Sequence, residues 1–275
     1  MRWVIGDIHG MLRPLVALLE EIGRRDANSR LLFVGDYVNR GPDSRGVIDL
    51  LLGLKNATFV RGNHDDVFQM VMTGQSYAPH QQACDPVTAF MWFINFGLEK
   101  TLTSYEVDHM DIEWVRHHPS PNAVFKLFSV VPEAHRRFIA SLVPVVEDPD
   151  LFVAHAMWAP DERDLAPSIS ERLATDWVAR NRILWGRYGP EVSRRKIWRR
   201  TGYFGHTPVE FFPPSLTGGR NQPIRLPDTV LLDTGAALSP TGRLSAVCPD
   251  SGEVIQIDRA GQLVVEGETP NRPTR

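Results

Sequence analysis

The sequence predicts an α/β protein in which two β-sheets pack as a sandwich, with helices on its outer faces and a helical insertion. Three observations predict it. Near the N-terminus, short apolar runs typical of strands alternate with stretches of helical spacing. A long, mostly helical stretch then interrupts this alternation. Towards the end of the chain, short β-rich runs alternate with turns, which is typical of neighbouring strands.

The N-terminal elements alternate strand and helix. The predicted strands are Arg2–Ile5, Leu31–Val34 and Thr58–Val60, and the predicted helices are Leu12–Ile22 and Val47–Leu54. This alternation predicts a parallel sheet with helices on its faces. Catalytic groups are then expected at the carboxyl ends of the strands.

The middle and the end of the chain complete the predicted sandwich. We predict a mostly helical insertion over about residues 66–150, with helices from Phe90 through Leu102 and from Glu133 to Val143. Beyond it we predict a strand over Leu151–Val153, a helix over Ser170–Trp185, a strand at Tyr203–Phe204 and β-rich runs from Thr229 to Val265. We expect the last group to form a second, antiparallel sheet packed on the first.

Size and composition indicate one globular domain. The chain has 275 residues, of which 43% are hydrophobic, so it can bury a full core. With no low-complexity linker between the motifs, we predict a single domain over residues 1–265 and a flexible tail over 266–275. The formal net charge of −3 argues against a nucleic-acid coat protein.

The sequence also bears on the cellular compartment. Its two cysteines, Cys84 and Cys248, do not make a disulfide framework. No apolar run reaches membrane-spanning length, and a polar motif begins at residue 6, which leaves no room for a signal peptide. We therefore expect a cytoplasmic protein.

Polar side chains that can bind metal follow three successive strands. They lie in Gly6-Asp7-Ile8-His9-Gly10, Gly35-Asp36-Tyr37-Val38-Asn39-Arg40-Gly41 and Gly62-Asn63-His64-Asp65. Asp7, Asp36 and Asn63 are spaced about 30 residues apart, the length of one βαβ unit, so they should meet at one sheet edge. Two lone histidines, His155 and His206, follow later strand-like runs. Carboxylate, amide and imidazole ligands in this order indicate two divalent metal ions sharing one carboxylate.

Each of these residues also has a structural interpretation when taken alone. His155 could be a core histidine, His206 could belong to a simple turn, and the acidic turns could only cap helices. Their occurrence together, in order and after strands, favours the metal site. The remaining histidines have no such context and are predicted to be surface or packing residues: His80, His109, His117, His118 and His135.

These blocks resemble the calcineurin-like metallophosphoesterases, and more narrowly their phosphoprotein phosphatase branch. That branch includes bacterial serine/threonine phosphatases and symmetrical diadenosine-tetraphosphate hydrolases, and the resemblance runs from residue 6 to about residue 237. It implies one ion held by Asp7, His9 and Asp36, and a second held by Asp36, Asn63, His155 and His206, with a water as nucleophile. It also implies manganese as the common activator, although iron, zinc and magnesium suit the same donors.

Four further features resemble this branch. Pro208 follows Gly205-His206-Thr207 at the place where many diesterases carry a second histidine, and Leu232–Ala237 resembles a late Asp-Thr-Gly segment. Arg40 resembles the phosphate-clamping arginine, because a planar guanidinium fits two phosphate oxygens. Arg187 resembles a second phosphate arginine, although it could equally be a solvated arginine at a helix end.

One position departs from the branch. Asn39 stands where the branch usually has an aspartate that pairs with His64, the general acid. An asparagine can accept a hydrogen bond but adds no charge, so His64 should be a poorer reservoir of protons at neutral pH; Asp65 and Asp66 are candidate substitutes. Asn39 could instead mark an impaired form. A leaving group of low pKa, such as a polyphosphate or nucleotide, needs less help from an acid.

The sequence leaves three functions open. The first is a serine/threonine-type phosphoprotein phosphatase, the second a dinucleoside-polyphosphate hydrolase, and the third a non-catalytic metal- or phosphate-binding module. The non-catalytic module is disfavoured because all six predicted metal ligands are intact. The expected partner is a phosphorylated protein or a nucleotide polyphosphate, and the oligomeric state stays open.

Two other features have alternative interpretations. A basic run forms either a solvated face or part of the site lining; it comprises Arg194–Lys196 and Arg199–Arg200. Trp92 is predicted to belong to the core of the insertion rather than to a base-stacking platform.

Overall fold

The computed structural model describes residues 1–158, 168–189, 198–218 and 221–264. The described strands are β1 (Arg2–Ile5), β2 (Arg30–Phe33), β3 (Ala57–Phe59), β4 (Val145–Glu147), β5 (Leu151–Ala154), β6 (Thr201–Phe204), β7 (Ile224–Arg225), β8 (Thr229–Leu231), β9 (Arg243–Val247) and β10 (Val254–Asp258). The described α-helices are α1 (Leu12–Arg25), α2 (Ser44–Leu52), α3 (Asn63–Thr73), α4 (Pro86–Phe93), α5 (Leu98–Ser104), α6 (His109–His117), α7 (Pro121–Phe128), α8 (Glu133–Ser141), α9 (Ile169–Thr175), α10 (Trp177–Trp185) and α11 (Pro214–Thr217).

The first sheet has the strand order β10-β9-β1-β2-β3. Strands β1, β2 and β3 are parallel, with Val4 of β1 opposite Leu32 of β2 and Leu32 opposite Thr58 of β3. The parallel sheet predicted from the N-terminal alternation is therefore confirmed. Helices α1 and α2 connect its strands, as expected for βαβ units.

The second sheet has the order β4-β5-β6-β8-β7, and its topology corrects one expectation. Strands β5, β6 and β8 are parallel, and only the two edge strands run antiparallel. The prediction that residues 229–265 form a separate antiparallel sheet is wrong. Strand β8 lies inside the second sheet, whereas β9 and β10 extend the first, because β9 pairs with β1 (Val4 opposite Val247). Local turn signals do not reveal which distant strand a run pairs with.

The two sheets face each other across an apolar layer. Alternate residues of β1 show the arrangement: Val4 points between the sheets, while Trp3 and Ile5 point to the outer face of the first sheet, and all three are fully buried. The inner layer is built mainly from valine and leucine. Because the parallel strands are covered on both faces, they are mostly apolar. The predicted fold class, a two-sheet sandwich flanked by helices, is confirmed.

The predicted helical insertion packs on the outer face of the first sheet. Helices α3–α8 contribute to the same buried cluster as α1 and α2. The helical segment ends earlier than the predicted boundary at residue 150, because β4 is already an edge strand of the second sheet. The single domain over residues 1–265 stays a prediction.

Two predicted helices are broken. The helix predicted from Phe90 through Leu102 is wrong, because α4 and α5 are separated by a short 3₁₀ turn and by Gly97, whose φ is +87°. A Cβ atom at Gly97 would overlap the backbone of Arg40, so the glycine lets the insertion approach that turn closely. The single helix predicted over Ser170–Trp185 is also wrong. Asp176 interrupts it and caps α10, accepting from the backbone N–H groups of residues 178 and 179.

Several predictions fall outside the described residues. The basic residues Arg194–Lys196 and the predicted tail over residues 266–275 lie there. Arg200, which is described, donates to Glu147 at 2.9 Å, a largely buried ion pair at the edge of the second sheet. Among the helices of the described ranges, none is both long and apolar enough to cross a membrane. The cytoplasmic location stays a prediction.

The insertion is joined to the first sheet by an aromatic cluster, which gives a stability prediction. Phe138 of α8 is 5% exposed, and its ring centroid lies 5.1 Å from that of Phe59 and 5.6 Å from that of Tyr37. Phe138→Ala should lower the free energy of unfolding by about 3–5 kcal/mol, measured by urea denaturation. The control Phe125→Ala, on α7 and 38% exposed, should cost much less. Equal losses would show that α8 is not anchored through Phe138.

Candidate metal centre and phosphate pocket

The carboxyl ends of six parallel strands meet at one edge of the sandwich. Strands β1, β2 and β3 of the first sheet, and β5, β6 and β8 of the second, are each followed by a polar residue of the site. These residues are Asp7 and His9, Asp36 and Arg40, Asn63 and His64, His155, His206 and Asp233, and all except the partly exposed Arg40 are buried. The structure therefore brings all six predicted metal ligands together.

Asp36 lies at the centre of this cluster. Its Oδ2 is 3.4 Å from Nε2 of His9 and 3.5 Å from Nε2 of His155. Its Oδ1 accepts a hydrogen bond from the backbone N–H of His64 at 3.0 Å. His9 follows a strand of the first sheet and His155 a strand of the second, so one carboxylate faces donors from both sheets. This is the position expected of a carboxylate shared by two ions.

The second predicted ligand set is compact. Oδ1 of Asn63 lies 2.9 Å from Nε2 of His155 and 3.0 Å from Nδ1 of His206. His155 donates its Nδ1–H to the carbonyl of Val34 at 3.0 Å, which leaves the lone pair of Nε2 facing Asn63 and Asp36. Ligand atoms of Asp36, His155 and His206 all lie within 4.8 Å of one another.

The first predicted set is more open. His9 donates its Nδ1–H to the carbonyl of Val38 at 2.9 Å, so its Nε2 faces Asp36. Ligand atoms of His9, Asp36 and His64 lie within 4.8 Å of one another, which places His64 rather than Asp7 in this group. Asp7 accepts from the backbone N–H of His206 through Oδ2 at 3.0 Å.

One of the buried polar atoms that are unpaired within the described part of the chain tests whether the site suits metal ions. It is Oδ1 of Asp7, a predicted ligand. A buried carboxylate oxygen without a partner is costly, and a bound cation satisfies it. The donors present therefore fit divalent ions.

The electrostatics of the cluster lead to the same conclusion. Burial, reinforced by neighbouring carboxylates, raises the pKa of Asp7 and Asp36 well above their ordinary range. Burial lowers the pKa of His155 to about 3. It also lowers the pKa of three further histidines, namely His9, His64 and His206. Neutral imidazoles keep their lone pairs for metal ions, and crowded carboxylates are stabilised by positive charge.

The turns that carry the site are strained. Six non-glycine residues in the described ranges have positive φ, and five of them belong to the site: His9, Asp36, Asn39, Arg40 and His206. Each such conformation costs on the order of 1–3 kcal/mol and persists only where surrounding contacts impose it. The site is therefore held by tertiary contacts rather than by local preference.

Asp65, to which sequence analysis assigned no certain role, supplies the main contact of this kind. Its buried carboxylate accepts from the backbone N–H groups of Asp36 at 2.8 Å, Tyr37 at 2.9 Å and Gly62 at 3.0 Å. Gly62 is required for this close approach, because a Cβ atom there would overlap the Asp36 carboxylate. Asp65 therefore holds the turn that presents Asp36.

Asp65 and Asp66 were the candidate substitutes for the missing carboxylate partner of the His64 ring, and neither occupies that position. Asp65 binds the backbone as described, and Asp66 instead pairs with Arg61 at 3.3 Å and accepts from the backbone N–H of Tyr77 at 2.8 Å. Both suggestions are therefore wrong. Each carboxylate is already engaged in holding the local structure.

His64 is instead in contact with Asn39. The amide Nδ2 of Asn39 lies 2.8 Å from Nδ1 of His64, and the amide oxygen accepts from the Thr101 hydroxyl at 3.0 Å. The ring partner of His64 is therefore a neutral amide, as expected from the sequence, and not a carboxylate. Nε2 of His64 lies 3.5 Å from Nη2 of Arg40. Thr101, on α5 of the insertion, was not anticipated from the sequence.

Both predicted arginines border one pocket of about 270 Å³ beside the metal donors. The pocket lining includes Arg40, Arg187, Asn63, His64 and His206, together with an aromatic group. Arg187 lies just beyond the end of α10 and donates from Nη1 to the carbonyl of His206 at 3.1 Å. The pocket can therefore hold an anion between two guanidinium groups and the metal donors.

Other residues of the site were missed or only partly described. Asp233 follows β8 as the ligands follow their strands, and burial raises its pKa to about 6. The sequence signal that could have identified Asp233 is its position directly after an apolar strand. His80 and Trp92, predicted as packing residues, do pack but also line the pocket. Of the other histidines, His135 is buried between Tyr105 and Asp49, and three are exposed, namely His109, His117 and His118.

The fold and the donor cluster together define a metallophosphoesterase. The chain belongs to the calcineurin-like phosphoesterase family, whose model matches residues 2–186. The family resemblance stated from the sequence is confirmed, and the matched family is one of phosphoesterases.

Individual relatives cover less of the chain. It is 33% identical over 118 residues to a symmetrical bis(5'-nucleosyl)-tetraphosphatase of Marinomonas sp. (strain MWYL1), covering 42% of this chain and 38% of that protein. It is 41% identical over 86 residues to the enzyme so named from Nitrosomonas europaea, covering 31% and 32%. The chain thus matches about a third of the length of these curated relatives. The solved cold-active protein-tyrosine phosphatase of a psychrophilic Shewanella species is similar in fold, with a TM-score of 0.52, 14% identity and 96% and 79% coverage.

Removing the charge of the shared carboxylate should disrupt both ion positions. For Asp36→Asn we expect kcat/KM to fall by at least about a hundredfold, and metal content after dialysis, measured by elemental analysis, to fall as well. The control Asp111→Asn, an exposed carboxylate on α6, should change neither quantity. Full turnover by Asp36→Asn in the presence of a chelator would exclude the two-metal interpretation.

Truncating the first arginine should weaken phosphate binding in both the ground and transition states. We expect Arg40→Ala to raise KM and lower kcat for phosphate esters, reducing kcat/KM by about ten- to a hundredfold, because charge-assisted hydrogen bonds are lost. Steady-state kinetics will show this, with Arg45→Ala, which loses a surface ion pair with Glu106, as the control. Unchanged kinetics of Arg40→Ala on every phosphorylated substrate would assign Arg40 a structural role only.

Proposed function

We propose that this chain is a metal-dependent hydrolase that cleaves phosphoric anhydride bonds in dinucleoside polyphosphates. The observation that carries the proposal is the contact between Asn39 and His64. A histidine whose ring partner is a neutral amide has no carboxylate to stabilise its charged form. Such a group suits a reaction in which the leaving group needs little protonation.

The metal donors have the following proposed roles. Asp7, His9 and Asp36 hold one ion and Asp36, Asn63, His155 and His206 the other, with Mn²⁺ as the proposed metal. Bound there, two divalent ions would neutralise phosphoryl charge and make water a nucleophile at neutral pH. The pocket side chains have separate proposed roles, which rest on their own contacts.

The pocket side chains bind and orient the substrate. Arg40 and Arg187 hold phosphoryl oxygens, because each guanidinium presents a planar fork of N–H groups. His64 lines the same pocket and faces the leaving group as a neutral ring rather than as a charged acid. The pocket lining within the described residues contains no carboxylate, so it does not repel an anionic substrate.

The leaving group separates the two main candidate functions. Cleavage of a phosphoric anhydride releases a phosphate that is stable as an anion, whereas cleavage of phosphoserine releases an alkoxide that requires a proton. The neutral environment of His64 supports the anhydride. The names of the relatives, symmetrical bis(5'-nucleosyl)-tetraphosphatases, support the same substrate class.

The serine/threonine phosphatase interpretation, placed first from the sequence alone, becomes the second candidate. Its support is the pair of arginines, which would hold the phosphate of a phosphoprotein equally well. The non-catalytic module has less support, because all six predicted metal ligands are present beside a pocket bordered by two arginines.

Product analysis distinguishes the two candidates. With Mn²⁺, we expect diadenosine tetraphosphate to be hydrolysed with a higher kcat/KM than a phosphoserine peptide, and to yield two ADP as the only nucleotide product. Chromatography of the products and phosphate release measure the two reactions. A preference for the phosphopeptide would favour a protein phosphatase, and inactivity on both would favour the binding module.

Restoring the carboxylate at position 39 tests the leaving-group argument. Asn39→Asp should give His64 a charged partner, raise the pKa of the ring and increase kcat/KM for phosphoserine most. The effect should be small for activated aryl phosphates and for the tetraphosphate. Measurements over about pH 6 to 9 should include Asn39→Ala, which removes the amide without adding charge and should not gain activity on phosphoserine. Equal effects of Asn39→Asp on all substrates would refute this role of Asn39.

A further inference from the structure

Three aromatic side chains form one wall of the phosphate pocket. Trp92 of α4 stacks on Trp185, the last residue of α10, with ring centroids 5.7 Å apart and an interplanar angle of 16°. His80 stacks on Trp92 at 5.2 Å and lies 4.7 Å from Trp185. We call these three residues the aromatic wall. All three are partly exposed and line the pocket that Arg40 and Arg187 border.

The aromatic wall is assembled in advance of any ligand. Trp185 donates its indole N–H to the carbonyl of Ala78 at 3.2 Å, which fixes the orientation of the ring. Trp92 packs at the margin of the insertion core and contacts Phe93, which in turn contacts His64. The wall is therefore connected to the residues that surround the metal donors, and it needs little ordering when a ligand binds.

The pocket is lined by two chemically different groups. One comprises the two guanidinium groups with Asn63 and His206, and the other comprises flat aromatic rings. A ligand that contacts both groups combines phosphates with a planar ring system. We propose that the aromatic wall stacks a nucleobase of the substrate while the arginines hold its phosphates.

This inference rests on the proposed function and names the part of the substrate that the pocket recognises beyond phosphate. Stacking of a base on an aromatic side chain is worth about 1–3 kcal/mol and tolerates different bases, since every base has a π-face. The sequence analysis expected Trp92 to serve as insertion core. The structure shows that Trp92 also lines the pocket and is partly exposed.

Binding measurements test the wall independently of turnover. In the parent protein with Mn²⁺, ADP should bind more tightly than inorganic pyrophosphate, which has the same number of phosphates and no base. Trp92→Ala should weaken ADP binding by about 5- to 100-fold and leave pyrophosphate binding within about twofold. Titration calorimetry measures both, and Trp92→Phe should retain most of the ADP affinity.

Two further variants keep the test decisive. His80→Ala removes a wall residue on a surface turn, so it reports on stacking even where Trp92→Ala unfolds the protein. Trp114→Ala, an exposed tryptophan on α6 outside the pocket, is the matched control and should bind ADP like the parent.

The outcomes separate this inference from the proposed function. If the parent cleaves diadenosine tetraphosphate but the wall variants bind ADP as tightly as the parent, the function stands and the stacking role is overturned. If the parent binds ADP through the wall but cleaves only phosphopeptides, the stacking role stands and the proposed function is overturned. A loss by the wall variants that is confined to phosphotyrosine peptides would assign the wall to a phenol ring and overturn the inference.

Discussion

The burial of Asp36 between the two sheets is the constraint on which the site depends. One of its oxygens faces His9 of the first sheet and His155 of the second, at 3.4 Å and 3.5 Å. Burying a carboxylate is costly unless hydrogen bonds or positive charge compensate it. The structure supplies the hydrogen bond of the His64 N–H, and Asp65 holds the left-handed turn. The remaining negative charge makes the site suited to metal ions.

The helical insertion completes the site as well as covering the sheet. Its break at Gly97 allows the chain to approach the strained turn at Arg40, and Thr101 accepts from the backbone N–H of Asn39 at 2.8 Å. The same insertion carries Trp92 to the pocket wall. A segment far from the metal-binding motifs in sequence therefore sets the position of Asn39, which contacts His64. The same segment sets the shape of the pocket.

The pocket also shows how one substitution changes the chemistry that a shared fold supports. Asn39 stands where the resembling branch has a carboxylate, and its neutral amide contacts the ring of His64. The two arginines and the metal donors are present. In the proposed function, phosphate binding and water activation are therefore kept, and the proton supply to a poor leaving group is reduced.

The sequence by itself determined the strand-and-helix order of the N-terminal part, the family and the six candidate ligands, because each ligand directly follows an apolar strand and parallel strands end at one edge. It did not determine that β9 and β10 join the first sheet, since pairing depends on contacts between distant segments. Nor did it reveal the helix breaks at Gly97 and Asp176. Only the tertiary structure decided the roles of Asp65, Thr101 and the aromatic wall, because each acts through residues remote in sequence whose contacts no local pattern encodes.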